Sequence, residues 1–468
     1  MTTIRIAYIG GGSRHWAPVM MQDLALTTGL DGEVVLYDID AARARANVVL
    51  GEGIFQHPEA VSRFRVRTEE RLADALRGAD LVFISILPGP MECFANDLDI
   101  PLRHGLVQTV GDTVGPGGLS RCLRTVPIFT GFARAIAEHC PKAWVVNYTN
   151  PMTVATQALT AEAPNLKTIG CCHEVFSCRA WIGSMAAEHT GIPMKHRNEI
   201  DIDLVGLNHF TFFPRATYHG HDVWPAIAAW IAKQGDFFRD RTADALAREA
   251  KGRYGSCDGL IQLDFWRRFG VFGAAGDRHL VEFVPWYCRS IESLRRWGVS
   301  VTGAAQRLGG YRPENIEVVE EAPEHLKRSS EEGIDLVECL VGNRSMVTNV
   351  NVPNLGQIPW LPLGHVVETQ ALVDRDRITP HVTGYFPMAL QTHLRRIADI
   401  QAMTLQAART CDRDLALHAL LADPLCTLDT DQADRLLTEL ISANQAWLPT
   451  GWRRTGNPST QSVFYKFP

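Results

Sequence analysis

The sequence has no run of 18 uninterrupted apolar residues, no low-complexity stretch and no internal repeat. The first absence excludes a membrane-spanning helix, and the others exclude solenoid and fibrous designs. Basic residues are not in excess: 46 Lys and Arg stand against 52 Asp and Glu, a net charge of −6 at neutral pH. Such a balance offers no electrostatic footprint for nucleic acid or an anionic membrane. The 11 cysteines show neither C-x-x-C nor zinc-finger spacing, and the adjacent Cys171 and Cys172 do not suit an ordinary disulfide. The opening residues, Met1 to Ile6, lack a charged n-region followed by an apolar h-region. These absences predict a soluble, reduced, cytoplasmic protein.

What is present is length and apolar content. A chain of 468 residues, 46% hydrophobic, exceeds one ordinary core. Two domains are expected, over residues 1–200 and 201–468. Ile4 to Ile9 reads as a strand ending on Gly10-Gly11-Gly12-Ser13, with a helix from about Arg14 to Leu24. Glycines there permit a tight turn and let backbone N–H groups approach a pyrophosphate at a helix N-terminus. His15 occupies the place of the third glycine in G-x-G-x-x-G, so the fingerprint is incomplete. A second strand, Glu33 to Tyr37, ends in Asp38-Ile39-Asp40. An acid at that point accepts hydrogen bonds from ribose hydroxyls and favours NAD over NADP. Asp38 is the ribose candidate, and Asp40 suits the cap of the next helix. With further strands at Phe64–Val66, Leu81–Ile86 and Trp144–Asn147, the expected class is α/β. A Rossmann-like, doubly wound parallel sheet would lead into a mixed α+β domain.

The stretch that carries the chemistry is Gly170-Cys171-Cys172-His173-Glu174-Val175, after the apolar run Leu166–Ile169. Asn147-Tyr148-Thr149-Asn150-Pro151 and Gly206-Leu207-Asn208-His209-Phe210 bracket it. Ligands bind beyond the carboxyl ends of strands in open α/β sheets. Three successive strand ends would therefore bring Asn150, Cys172, His173 and His209 to one crevice. A thiolate and an imidazole suit a divalent transition metal with positions left open for substrate. A buried free thiol and a satisfied core histidine are the competing reading of that pair.

Elsewhere, Gly111-Asp112-Thr113-Val114-Gly115-Pro116-Gly117-Gly118 is a glycine-rich loop before a helix with Arg121 and Arg124. It reads either as part of the site or as a surface loop capped by Asp112. Phe269 to His279, with Asp277, Arg278 and His279 followed by Glu282, suits a flexible active-site segment or a solvated loop. Residues 310–333 read as a mobile excursion. Val347–Ile358 with His365–Thr369 predicts a hairpin of the second domain. Leu390, Leu394, Ile397 and Leu405 mark an amphipathic helix.

Taken in order, the glycine turn with Ser13, the Asp38-Ile39-Asp40 end, the Asp112 loop, Asn147-Tyr148-Thr149-Asn150-Pro151-Met152, the Cys172 block, the His209 block and the Asn349–Glu368 element resemble glycoside hydrolase family 4. These are NAD- and metal-dependent glycosidases, and the resemblance covers nearly the whole chain. It implies a route distinct from paired-carboxylate hydrolysis. NAD⁺ takes a hydride from C3 of the sugar, a base removes the acidified C2 proton, the aglycone leaves C1, water adds, and the hydride returns. It implies Cys172 and His209 as ligands of a divalent metal, usually Mn²⁺. Asn150 and His173 would hold sugar hydroxyls with Asn208 beside them. Gly10, Gly11, Gly12, Ser13, Asp38 and Asn147 would form the NAD site. A homodimer or homotetramer is implied as well.

Family members acting on phospho-sugars carry a tyrosine base within the region of 270–285. This chain has none there and offers Asp277, His279 and Glu282 instead; Asp277 or His279 is favoured, or a metal-bound hydroxide, with His173 also in the catalytic set. Cys172-His173-Glu174-Val175 resembles the uronide-cleaving members. The implied substrate is an α-galacturonide or α-glucuronide, or a sulfonated sugar glycoside. Arg278, Arg179 or Arg14 would meet its anionic group. The alternatives are a neutral α-galactosidase or α-glucosidase, an NAD-dependent sugar dehydrogenase, and a non-catalytic NAD-binding protein.

Overall fold

A computed structural model of the chain describes residues 2–253, 256–301, 303, 304, 308 and 321–453. The first six strands are β1 (Thr2–Ile9), β2 (Leu30–Tyr37), β3 (Arg63–Thr68), β4 (Leu81–Ile84), β5 (Trp144–Asn147) and β6 (Lys167–Gly170). They are parallel and lie in the order β3-β2-β1-β4-β5-β6. This is the doubly wound order of dinucleotide-binding sheets, as the sequence predicts. Every residue of β4 is buried, because helices cover both faces.

The remaining strands are β7 (Ile200–Ile202), β8 (Val205–Leu207), β9 (Phe210–Phe213), β10 (Ala216–Tyr218), β11 (His221–Asp222), β12 (Phe272–Gly273), β13 (Met346–Pro353), β14 (Val366–Asp374) and β15 (Arg377–Pro380). The expected hairpin forms from β13 and β14. It does not start a separate sheet: Asn351 of β13 pairs antiparallel with Gly170 of β6. From there the sheet runs on through β14, β8, β9 and β12, and β15 pairs with β14, making 12 strands among the described residues. The strands bearing Cys172 and His209 are therefore not neighbours, since β13 and β14 lie between them. The close approach at the seam requires glycine, because a Cβ on Gly170 would stand 2.8 Å from the Asn351 Cβ.

The core follows the same continuity. Ile6, Val34, Phe83 and Ile169 share one apolar cluster with Val337, Val350 and Val373. The helix Met388–Thr410 buries Leu390, Leu394 and Ile397 in another cluster with Phe210 and Phe265. Each such side chain contributes about 1.5–3 kcal/mol on burial. The segment 269–279 is packed, not loose: Val271, Phe272, Ala274 and Ala275 are buried, and β12 pairs with β9. Small residues here reflect tight packing. The excursion expected over 310–333 lies, as far as residue 320, outside the described residues, and from Gly333 the chain is helical to Leu340. Among the described residues no helix is long and apolar enough to cross a membrane.

Candidate active site

The glycine turn leaves β1 with Gly10 at φ +95°, where an added Cβ would lie 2.0 Å from the Ser85 carbonyl oxygen. The Gly10 and Gly11 N–H groups both donate to the Tyr37 carbonyl. Asp38 receives the Gly12 N–H at 2.8 Å on Oδ2 and the Asp40 N–H at 2.9 Å on Oδ1. Each oxygen keeps a lone pair for an incoming hydroxyl. Asp40 caps the helix Ala41–Gln56 by accepting from the Arg43 N–H. Ser13 Oγ accepts from the Trp16 N–H at 3.0 Å, at the start of the helix Trp16–Ala25. Asn147 is fully buried and spends its amide on the following loop. Its Oδ1 accepts from the Thr149 N–H, and its Nδ2 donates to Thr149 O and Thr156 Oγ1.

Asp112, His209 and His279 place ligand atoms within 4.8 Å of one another, a group able to hold a metal ion. Thr113 links two of them: its hydroxyl donates to Asp112 Oδ1 at 2.7 Å and lies 2.9 Å from His209 Nδ1. A hydroxyl has one proton, so His209 Nδ1 must be the donor to Thr113, which leaves Nε2 with its lone pair exposed for a ligand. Burial, then the neighbouring His279, depresses His209 to about 3, so the ring is neutral, the form that binds metals. For Asp112, burial opposes charge, but His279, His209 and Arg121 outweigh it and hold the carboxyl well below its usual range. Asn150 Nδ2 donates to Asp112 Oδ2 at 3.3 Å.

The His209 and His279 rings face each other with centroids 3.8 Å apart and planes tilted by 34°. His279 Nε2 stands 3.7 Å from Glu174 Oε1, while its buried Nδ1 has no hydrogen-bond partner. Glu174 Oε2 also accepts the Gly276 N–H at 3.0 Å. Burial works against the Glu174 charge, yet His279, His209 and that N–H bring it down to about 2.

Cys172 is buried, with its thiol hydrogen-bonded by the Asn208 side chain. Burial, then Glu368 and Glu174, pushes the thiol well above its usual value. Behind it, Glu368 accepts from Asn208 Nδ2 and Asn349 Nδ2, each at 3.0 Å, and Asn349 also donates to the Cys172 carbonyl. Burial raises Glu368 to about 7 despite those amides. The Asn150 and Asn208 Oδ1 atoms are buried without partners, acceptors left for a ligand.

The other predicted residues go to several places. His173 is exposed, with its ring 5.6 Å from Trp16 and Nδ1 3.6 Å from Glu331. Asp277 Oδ1 accepts the Gln262 N–H in the first turn of the helix Leu260–Phe269, its buried Oδ2 has no partner, and burial raises it to about 7. Arg278 donates to the Thr109 carbonyl at 3.2 Å. Arg179 is committed to Ile200 O and Asn198, and Arg14 is exposed. Sequence reasoning passed over Glu174 and Glu282 as structural ties. Glu282 Oε1 accepts the N–H groups of Thr109, Val110 and Gly111, which fixes the loop that presents Asp112. Nothing local marks either tie, because each partner lies more than 100 positions away.

Known proteins are similar to this chain over nearly its whole length. The model of the family 4 glycosyl hydrolases matches residues 5–188, and that of their C-terminal domain matches 204–426. An α-galacturonidase of Thermoanaerobacterium saccharolyticum is 39% identical over 96% of this chain and 97% of its own length. One from Bacillus subtilis is 37% identical over 94% and 97%. Among solved structures, a Bacillus subtilis protein described as a glucosidase superposes with a TM-score of 0.84 at 36% identity, covering 94% of this chain and all of that one. Matches to both halves of the family model, in order and across nearly every strand described above, make the chain a member of the family 4 glycosyl hydrolases.

Proposed function

We propose that the protein is an NAD- and divalent-metal-dependent α-galacturonidase. The observation that carries this reading is the convergence of Asp112, Asn150, His209 and His279. Relatives named α-galacturonidase at 36–39% identity support the substrate. Gly10, Gly11, Gly12, Ser13 and Asp38 would hold NAD, and the ready-placed Asp38 carboxylate fits its ribose. His209 Nε2 and Asp112 would hold the metal, Mn²⁺ by family resemblance, with Cys172 as a further ligand. When bound, NAD⁺ supplies oxidation at C3, and the cation supplies charge stabilisation at the neighbouring oxygens.

The chain's own groups do the rest. The Asn150 and Asn208 Oδ1 atoms accept from sugar hydroxyls. His279 Nδ1 takes the C2 proton, while Glu174 at Nε2 orients the ring. Loss of that proton lets the aglycone leave C1. All 11 cysteines are free, which supports a reducing, cytoplasmic setting. Family resemblance supports a homodimer or homotetramer.

The test is a panel of nitrophenyl α- and β-glycosides, neutral, uronic and sulfonated, with NAD⁺, Mn²⁺ and a thiol reductant. The expected result is cleavage of the α-galacturonide without net NADH, abolished by EDTA and restored by Mn²⁺. Net NADH from a free sugar acid, with no glycoside cleaved, would identify a dehydrogenase instead.

A further inference from the structure

Two arginines one helical turn apart, Arg121 and Arg124, are buried in the helix Gly115–His139, yet their charges are treated differently. Arg124 is fully matched. Its Nη1 and Nη2 grip Asp97 at 3.1 and 2.5 Å, and its Nε donates to the Pro88 carbonyl. Arg121 is only 6% exposed, and its Nε donates to the Asn150 carbonyl at 3.0 Å. Its guanidinium carbon lies 5.0 Å above the Phe94 ring. Among the described residues no carboxylate stands at ion-pair distance from it. Asp112, across the Asn150 loop, spends its oxygens on Thr113 and Asn150.

Burying a guanidinium without a direct ion pair is costly: the charges of Asp112 and Asp97 act on it only from a distance, burial outweighs them, and a neutral carbonyl with a ring face offsets little of the remainder. An arrangement of this kind persists where a ligand supplies the anion. The stacked, planar fork also suits bidentate pairing with a carboxylate. Arg179 has no such capacity left; Arg278 keeps a buried Nε without a partner but gives its Nη2 to the Thr109 carbonyl.

We propose that Arg121 receives the anionic C6 carboxylate of the glycone and is the specificity-determining residue of this site. This rests on the α-galacturonidase reading and adds the residue that enforces it. With the carboxylate on Arg121, the sugar lies against Asn150, which joins the arginine to the metal-binding acid.

The experiment compares wild type, Arg121→Met and Arg121→Lys, each with NAD⁺ and Mn²⁺, on nitrophenyl α-galacturonide and nitrophenyl α-galactoside. Inhibition by free galacturonate and by galactose is measured alongside. In Arg121→Met the galacturonide-to-galactoside ratio of kcat/KM should fall about 100-fold, the loss of a doubled charge-assisted contact. Arg121→Lys, which keeps the charge but not the fork, should fall less, and galacturonate inhibition should weaken in step. If Arg121→Met does not fold, the ratio in Arg121→Lys decides. A wild type that prefers galacturonide, with variants that lose both substrates equally, overturns the Arg121 assignment alone. A wild type that prefers the neutral galactoside overturns the acidic-substrate reading and this assignment with it.

Discussion

Burial pushes Asp112, Glu174 and Asp423 towards their neutral forms, and neighbours decide which of them yields. Asp112 and Glu174 stay charged because imidazoles and N–H groups crowd them. Asp423 has no comparable company. It accepts the Gly115 N–H at 2.9 Å and the Leu425 N–H at 2.9 Å, and burial lifts it to about 6. A carboxyl raised on folding keeps a proton that the unfolded chain has lost, so its contribution falls as pH rises from about 4 through 6. The span corresponds to about 3 kcal/mol. Asp423→Asn should remove that share of the slope when melting temperature is followed from pH 4 to 6.5. An unchanged slope would assign it to Glu368 and Asp277, which titrate in an overlapping window. A second residue-scale expectation concerns His279. His279→Gln should stop entry of solvent deuterium at C2 of the product while Mn²⁺ affinity stays near that of wild type. A large loss of Mn²⁺ affinity would make His279 a ligand. At this scale the sequence displays what is local: Asp38 and Asp40 differ in role because one ends a strand and the other starts a helix. It hides what depends on distant chain. The sequence offers Asp277 as a base but gives no sign of the Gln262 N–H that one of its oxygens accepts.

Turns and strands obey the same division. The glycine turn announces itself because Gly10 adopts φ +95° directly against Ser85. Gly10→Ala should abolish NAD⁺ binding in a fluorescence titration and lower stability by at least about 2 kcal/mol, since both a strained dihedral and a backbone clash result. Retained NAD⁺ affinity would move the cofactor elsewhere. The six parallel strands could be ordered in advance because βαβ crossovers allow few alternatives. Insertion of β13 and β14 beside β6 had no such guide. Alternating apolar residues specify that the two strands pair with each other, but not which edge receives them.

Across the whole molecule, a division after residue 200 cuts the cluster in which Ile6, Phe83 and Ile169 pack on Val337, Val350 and Val373. A chain ending at residue 200 should therefore be digested by trypsin far faster than the full protein. Equal resistance would show that the parallel half stands alone. The same seam has a consequence during synthesis. β6 is complete at Gly170, but β13, its partner, begins at Met346, about 175 residues later. At typical elongation rates of about 5–20 residues per second, the apolar edge waits uncovered on the ribosome for about 10–35 s. Nascent chains of this protein should recruit chaperones most strongly within that interval.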